Sequence, residues 1–225
     1  MSIRLRVYRD APVKISGEAP DTFYPTWVGA PRLHAMGLDG SGVGIAFVDT
    51  GLWSRVFNEM DVQGGVDTVG VAAPAVGVPF SKKQVDDHNG HGTHITSVAA
   101  GRQWSESGAY ESVAPGASVY VVRAFDENGV GTYLDVIEGI QWVVDRSAEL
   151  GIRVLNLSFS AEPQSYYWDD PLNQAVMAAW EAGIVVITSA GNTGPEPMSV
   201  GVPGRRTSAS SSLKSRPLAA MCSRA

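Results

Sequence analysis

The chain has 225 residues, of which 44% are hydrophobic and 18% charged, so it can bury a core and does not have a disordered composition. Seventeen Lys and Arg against 23 Asp and Glu give a net charge of −6, which argues against a general nucleic-acid binder. The single cysteine, Cys222, excludes an intrachain disulfide, and no run of about 18 apolar residues predicts a membrane span.

The body of the chain alternates short apolar runs with amphipathic segments. Strands are predicted over residues 43–48, 118–124, 154–159 and 184–190. Helices are predicted over residues 92–100, 134–150 and 172–182, and one face of the longest is predicted to carry Leu134, Ile137, Ile140, Val143 and Val144. This alternation indicates an α/β fold, a doubly wound parallel sheet with helices on both faces.

Three loops beside these elements carry polar residues that could perform chemistry. Asp49 ends the first strand, His91 begins the first helix, and Asn192 follows the last strand. Each residue alone is also typical of a turn or a helix end. Together, however, a carboxylate can orient an imidazole that acts as general base for a hydroxyl, and an amide can donate to an oxyanion. Their order along the chain matches one known arrangement of hydrolase groups.

A metal site is an alternative interpretation of the segment around His91. Its acidic and histidine residues are of types that bind zinc: Asp86, Asp87, His88, His91 and His94. His88 precedes Gly90 and is predicted to lie before the helix, and a metal site explains neither Asp49 nor Asn192. We therefore expect no metal ion here, and we expect His94 to pack against the sheet.

The segments around these residues resemble the subtilisin-like serine proteases, the subtilase family. The resemblance extends over residues 25–203 and rests on residues 42–51, 91–94, 114–117, 131–133 and 188–192. It implies a serine-type endopeptidase in which Asp49 orients His91, His91 is the general base and Asn192 donates to the oxyanion. Family members bind extended peptides beside a strand, which the resemblance places at Leu157, Ser158, Phe159 and Ser160. An ordinary strand end is the alternative, and many members have Gly where this chain has Ser160.

The resemblance also implies a polypeptide substrate and, in an intact precursor, the protein's own prodomain as partner. Structural calcium is common in the family, but the sequence shows no complete ligand set, and Asp86 and Asp87 are merely candidates as surface acids; no other cofactor is expected. We expect neither nucleic acid nor a membrane as partner. The resemblance implies secretion, but the sequence shows no signal peptide, which predicts a cytoplasmic location if the chain is expressed as given.

The nucleophile of the family, a serine within Gly-Thr-Ser-Met-Ala, has no counterpart in this sequence. The serines after position 204 are predicted to be solvated. We therefore expect the chain to be inactive as given, and a non-catalytic pseudoprotease or peptide-binding fragment is the alternative function. Without the helix that carries the nucleophile, the apolar segment 184–187 is predicted to lack cover, which predicts poor solubility.

Three segments are predicted along the chain. Residues 1–24 are interpreted as the end of a prodomain and a connecting arm, since residues 4–10 resemble a prodomain strand; an ordinary polar arm is the alternative. Residues 25–204 are interpreted as a partial protease domain that lacks its C-terminal part. Residues 205–225 hold five basic residues and no acidic one, and are interpreted as a disordered Ser/Arg-rich tail, authentic or translated out of frame.

Overall fold

The predicted alternation of strands and helices is present in the computed structural model, which describes residues 12–15, 24–70, 80–103, 112–194 and 199–203. The helices are α1 (Tyr24–Trp27), α2 (Ala30–His34), α3 (His91–Ala100), α4 (Tyr133–Leu150) and α5 (Pro171–Glu181), and a 3-10 helix covers Ser54–Glu59. The strands are β1 (Pro12–Ile15), β2 (Gly44–Asp49), β3 (Asp61–Asp67), β4 (Ser118–Arg123), β5 (Val130–Thr132), β6 (Ile152–Leu157), β7 (Phe159–Ser160) and β8 (Val185–Thr188).

Five of these strands form one parallel sheet in the order β3-β4-β2-β6-β8. Successive residues of its central strands point to opposite faces and enter two different cores. Ala46 and Val48 of β2 pack in the core that contains α4 and α5, whereas Phe47 packs in the core that contains α3. Both faces of the sheet are therefore covered at its centre, and the predicted α/β architecture is confirmed.

The longest helix, α4, begins and ends where local sequence favours it. The hydroxyl of Thr132 accepts a hydrogen bond from the Asp135 amide, and Asp135 bonds back to the Thr132 amide, which forms a capping box. Gly151 ends the helix with a left-handed φ of 65°. The predicted apolar face was wrong for Leu134, which is 56% exposed, because Tyr133 takes the buried position in the first turn.

The strands that the sequence did not predict lack a continuous apolar run. β3 reads DVQGGVD, with two glycines and an aspartate at each end, yet it pairs in parallel with β4. The last predicted strand is shorter than expected, because β8 ends at Thr188 and the chain then turns at Gly191, whose φ is 88°. Regular patterns thus predicted the buried centre of the sheet better than its edges.

One edge of the sheet is formed by β8, which pairs only with β6 among the described strands. Val185 and Ile187 are 54% and 52% exposed, whereas Ile184 is buried and Val186 packs against the core of α4 and α5. The predicted lack of cover over residues 184–187 is therefore confirmed for Val185 and Ile187 and was wrong for Ile184. Helix α3, which lies on the face of Val185 and Ile187, covers β2 and β4 instead.

Two further observations concern the ends of the chain and membranes. The predicted prodomain strand at residues 4–10 and the predicted tail at 205–225 lie outside the described residues. Within the described ranges, no helix combines the length and the apolar character needed to cross a membrane.

Candidate active site

The structure brings Asp49 and His91 into direct contact. Asp49 is the last residue of β2 and His91 the first of α3, and the Nδ1 atom of His91 lies 2.7 Å from Oδ1 of Asp49. Both side chains are almost fully buried, and the same Oδ1 atom accepts a hydrogen bond from the Thr50 amide. Asp49 therefore fixes the ring orientation and the tautomer of His91, as a carboxylate does for a general base.

The environment of Asp49 opposes its ionisation. Burial raises the pKa of its carboxyl group, and the hydrogen bond and charge of His91 oppose that shift without cancelling it. Its second oxygen, Oδ2, is buried with no hydrogen-bond partner among the described residues. An ionised Asp49 would thus gain strongly from a proton on the His91 ring, which is the charge that a general base acquires when it acts.

The first turn of α3 is held by a second buried carboxylate, that of Asp87. Its Oδ1 accepts from the amides of Asn89 and Gly90, and its Oδ2 accepts from the amide and the hydroxyl of Thr93, at 2.6–3.0 Å. Thr93 Oγ1 in turn accepts from the Trp53 amide. These bonds fix the helix start that carries His91 and tie it to the loop after β2.

Close backbone contact completes this arrangement. The Gly92 amide donates to the hydroxyl of Thr50, and a Cβ atom at position 92 would collide with the carbonyl oxygen of Gly51. Only glycine at position 92 allows α3 to approach β2 this closely. The Gly that follows His91 in the sequence therefore sets the distance between the histidine and the strand that carries Asp49.

The other candidates around His91 are placed differently from expectation. His88 lies before α3, as predicted, but His94 is exposed and does not pack against the sheet. Asp87 is 5% exposed and saturated by hydrogen bonds, so its interpretation as a surface acid for calcium was wrong. Asp86 Oδ1 accepts from the Ser54 amide. No cluster of three or more metal-binding side chains occurs in the described part of the chain.

Asn192 lies on the loop after β8, at the same edge of the sheet as Asp49. The Ser189 amide still bonds to the Leu157 carbonyl, and the Gly191 amide then bonds to the Ser189 hydroxyl at 3.0 Å. The Asn192 side chain is exposed. Since β6 alone separates β2 from β8, the carboxyl ends of these two strands lie about 10 Å apart. Asp49 and Asn192 therefore lie at, or just beyond, the carboxyl ends of the two strands on either side of β6.

The predicted peptide-binding edge is a strand of a second, three-stranded sheet with the order β5-β1-β7. β1 pairs antiparallel with both neighbours: Val13 stands opposite Gly131, and Lys14 stands opposite Val130 on one side and Ser160 on the other. The backbone of β1 thus fills a slot between β5 and β7. β7, one wall of the slot, follows β6 after a single residue. The slot therefore lies beside the carboxyl edge of the main sheet.

The four residues predicted for that edge have different roles. Leu157 ends β6 and is buried in the core, and Phe159 is buried against Phe125 with ring centroids 5.3 Å apart. The Ser158 hydroxyl accepts a hydrogen bond from the side-chain Nδ2 of Asn156 at 2.7 Å. Ser160 points at the turn that precedes Asn192, because a Cβ at Gly191 would lie 2.8 Å from its Oγ. Phe159 can therefore offer a ligand only its backbone, whereas the backbone of Leu157 is already paired with β2 and β8 in the main sheet.

Two parts of this site were not assigned from the sequence. β5 forms the other wall of the slot. Residues 131–133 carry part of the family resemblance, and the local structural signal is the turn before them, in which Asp126 Oδ1 accepts from the amides of Asn128 and Val130. Asp87 was treated as a surface acid, although an aspartate shortly before a helix start is a typical capping residue. Both signals are local, and neither predicts which distant residues β5 or Asp87 contacts in the folded chain.

Comparison with known proteins agrees with this geometry. Residues 40–213, more than three quarters of the chain, match the family model described as "Subtilase family". The chain is 35% identical over 172 residues to serine protease AprX of Bacillus subtilis (strain 168), a match that covers 74% of this chain and 37% of AprX. It is 32% identical over 182 residues to subtilisin BL of Lederbergia lenta, covering 81% and 59% of the two chains.

A thermostable alkaline protease of Halalkalibacterium halodurans is 29% identical over 188 residues, which is 84% of this chain and 45% of that protein. The chain thus spans between 37% and 59% of the length of these three relatives. The family match includes Asp49, His91 and Asn192 as well as both walls of the slot that holds β1. The chain is a member of the subtilase family of serine proteases.

Proposed function

We propose that the chain is the peptide-binding part of a subtilisin-like serine endopeptidase, with Asp49 and His91 as its acid–base pair and Asn192 as an oxyanion donor. The observation that carries this proposal is the buried 2.7 Å contact between His91 Nδ1 and Asp49 Oδ1. It holds a proton on Nδ1, so that Nε2 is the acceptor for the proton of an attacking hydroxyl.

The reaction that fits this pair is acyl transfer. A seryl oxygen bonds to the scissile carbonyl carbon while its proton passes to Nε2 of His91. The same proton then goes to the leaving amine as the C–N bond breaks, and water hydrolyses the resulting ester with His91 again as base. Asp49 stabilises the imidazolium in both halves, and the Asn192 amide donates to the oxyanion.

Peptide binding is supported by β1. An extended segment between β5 and β7 makes backbone hydrogen bonds on both sides, which is how a peptide adds to exposed strand edges. We propose that a substrate takes the place of β1, with the same antiparallel direction. Residues 1–24 would then be a connecting arm that occupies the slot until a substrate displaces it, in keeping with their interpretation as the end of a prodomain.

The nucleophile is the part that this sequence does not supply. No Gly-Thr-Ser-Met-Ala string occurs in it, and Ser160 is enclosed by Gly191 and Gly201. We propose that the chain as given binds peptides without cleaving them, that residues 25–204 are a partial protease domain, and that residues 205–225 are a separate tail. Secretion of an intact precursor is likewise proposed from the family alone.

Peptide binding can be tested on the full chain with Lys14→Pro. Proline in the central strand of the β5-β1-β7 sheet removes a ladder hydrogen bond and should expel β1. A fluorescent core peptide with the sequence of residues 12–17 should then bind saturably to this variant and more weakly to the wild type. Lys14→Ala is the matched control, since it retains the backbone amide. A folded Lys14→Pro variant that fails to bind the core peptide would refute the proposed slot.

Catalytic competence needs a separate measurement. A fluorophosphonate probe labels only serines activated by a neighbouring base, so we expect no labelling of the 225-residue chain. Labelling that disappears in His91→Ala would show that the chain contains its own nucleophile. Peptide binding without such labelling is the result expected for the non-catalytic form of the protein.

A further inference from the structure

Three consecutive aromatic residues lie in the loop between β7 and α5. The rings of Tyr166 and Trp168 stack with centroids 4.9 Å apart and planes inclined by 6°, and Tyr167 meets Trp168 edge-on at 5.2 Å. Tyr166 is 41% exposed and Trp168 is 54% exposed. We call the Tyr166–Trp168 pair the aromatic platform. Its rings stack on one another at the surface and belong to neither core.

The loop that carries the platform is held rigidly. Asp170 is fully buried: its Oδ1 accepts from the amides of Leu172 and Asn173 at the start of α5, and the Asp170 amide bonds to the Tyr166 carbonyl at 2.8 Å. The Trp168 carbonyl accepts from the Gln174 side chain at 3.0 Å. Binding of a ligand to the platform therefore costs little conformational entropy, because the loop is already ordered.

The loop adjoins the end of the slot at which β1 begins. Pro12 stands opposite Thr132, and the next residue, Tyr133, donates from its hydroxyl to the carbonyl of Glu162 and to Oδ2 of Asp170. Tyr133 therefore connects the wall of the slot with both ends of the platform loop. A peptide that follows β1 and continues N-terminally beyond the position of Pro12 runs towards that loop. We expect such a peptide to reach the rings within three or four further residues, each of which spans about 3.3 Å.

The sequence segment that carries the platform has charge of one sign. Residues 154–204 contain five acidic residues and no Lys or Arg, and Glu162 and Asp169 flank the rings. Other aromatic rings in the described chain already carry a cation: Arg55 lies over Trp53, Lys82 over Phe57 and Arg146 over Trp142. No such partner lies over Tyr166 or Trp168 in the described ranges. Ring faces are negative, so the platform is matched to an incoming cation.

We infer that Tyr166 and Trp168 form a subsite for a positively charged side chain of the bound polypeptide, arginine in particular, three or four residues N-terminal to the segment held between β5 and β7. A planar guanidinium stacks on an aromatic face as well as attracting it electrostatically, which favours arginine over lysine. This inference rests on the proposed function, because it needs a peptide in the slot.

The test uses the Lys14→Pro chain and extended forms of the core peptide. Five glycines are added before residues 12–17, and one arginine is moved through these five positions, with citrulline as its neutral isostere. We expect arginine to bind about 3- to 10-fold more tightly than citrulline at the third or fourth position, and equally at the first. Trp168→Ala should abolish this preference and Trp168→Phe should retain part of it.

Trp180→Ala is the matched control, since Trp180 is 45% exposed but lies at the far end of α5. It should leave the preference for arginine unchanged. If the core peptide binds but arginine and citrulline are equal at every position, the subsite is refuted while the slot stands. If a neutral aromatic residue at the same peptide position increases the affinity as much as arginine does, a cation site is also refuted. If the core peptide itself fails to bind, the proposed function is the part that fails.

Discussion

The hydroxyl of Ser160 occupies the space that a side chain at Gly191 would need: a Cβ there would lie 2.8 Å from Ser160 Oγ. Ser160 belongs to the wall of the peptide slot, and Gly191 precedes the proposed oxyanion donor, Asn192. The two proposed halves of the substrate site, the slot and the oxyanion loop, are therefore in direct contact.

This contact predicts the effect of Gly191→Ala. Alanine at a φ of 88° costs about 1–2 kcal/mol of backbone strain, and the collision with Ser160 should add about 1–3 kcal/mol. Gly183→Ala separates the two contributions, because Gly183 has a similar φ of 81° and no atom within 4 Å of its Cβ position. In urea titrations Gly191→Ala should destabilise more than Gly183→Ala, and adding Ser160→Gly should remove the excess. Equal losses at both glycines would contradict the contact.

The hydrogen bonds that Asp87 accepts at the start of α3 predict a loss of stability in acid. Partial burial raises the pKa of Asp87, but the hydrogen bonds from Gly90 and Thr93 outweigh it and hold the pKa below the ordinary value of 3.8. A depressed carboxyl pKa stabilises the fold above the unfolded value and loses that contribution as the pH falls through the folded value. Asp87→Asn should therefore cost about 1–3 kcal/mol at pH 7 and progressively less below pH 3.8. A pH-independent cost would contradict a role for the ionised carboxylate.

The contribution of Asp49 to the free energy of unfolding should depend on pH with the opposite sign. Burial raises its pKa, so the folded state holds the proton more tightly than the unfolded chain, and stability falls as the pH rises from 3.8 towards the folded value. Asp49→Asn retains an acceptor for His91 and removes the buried charge, and we expect it to stabilise the fold at pH 7 by about 0.5–2 kcal/mol. The gain should vanish below pH 3.8. Asp87→Asn, measured in the same series, is its control. If Asp49→Asn instead lowers the free energy of unfolding at pH 7, the ion pair with His91 outweighs the desolvation of the carboxylate.

The sequence predicted those parts of the fold that obey a regular pattern. β2 and β4 are apolar runs buried on both faces, and β6 is buried on one face. Asp49 and His91 follow from their positions at the end of a strand and the start of a helix. The position of Asp87 was visible, but its role was not, because four hydrogen bonds to backbone and hydroxyl groups depend on how the chain turns before α3.

The slot escaped sequence analysis for a similar reason. β5 and β7 have three and two residues, too few for any periodicity, and their pairing with β1 joins residues more than 100 positions apart. The aromatic residues at 166–168 likewise carry no local signal of their surroundings, and the hydrogen bonds of Tyr133 to Glu162 and Asp170 place their loop beside β5. Long-range pairing of short elements is the information that local patterns lack.

The exposed edge strand β8 predicts self-association. Val185 and Ile187 present apolar side chains on a strand whose outer edge pairs with no described strand, a combination that favours edge-to-edge pairing. Lysine on such an edge opposes that pairing. Val185→Lys with Ile187→Thr should increase the monomer fraction in size-exclusion chromatography with light scattering while changing the free energy of unfolding by only about 0.5 kcal/mol. Leu134→Lys is the matched control, because Leu134 is equally exposed but lies on a helix. If that control restores the monomer as well as the β8 variant does, general surface hydrophobicity rather than the strand edge drives association.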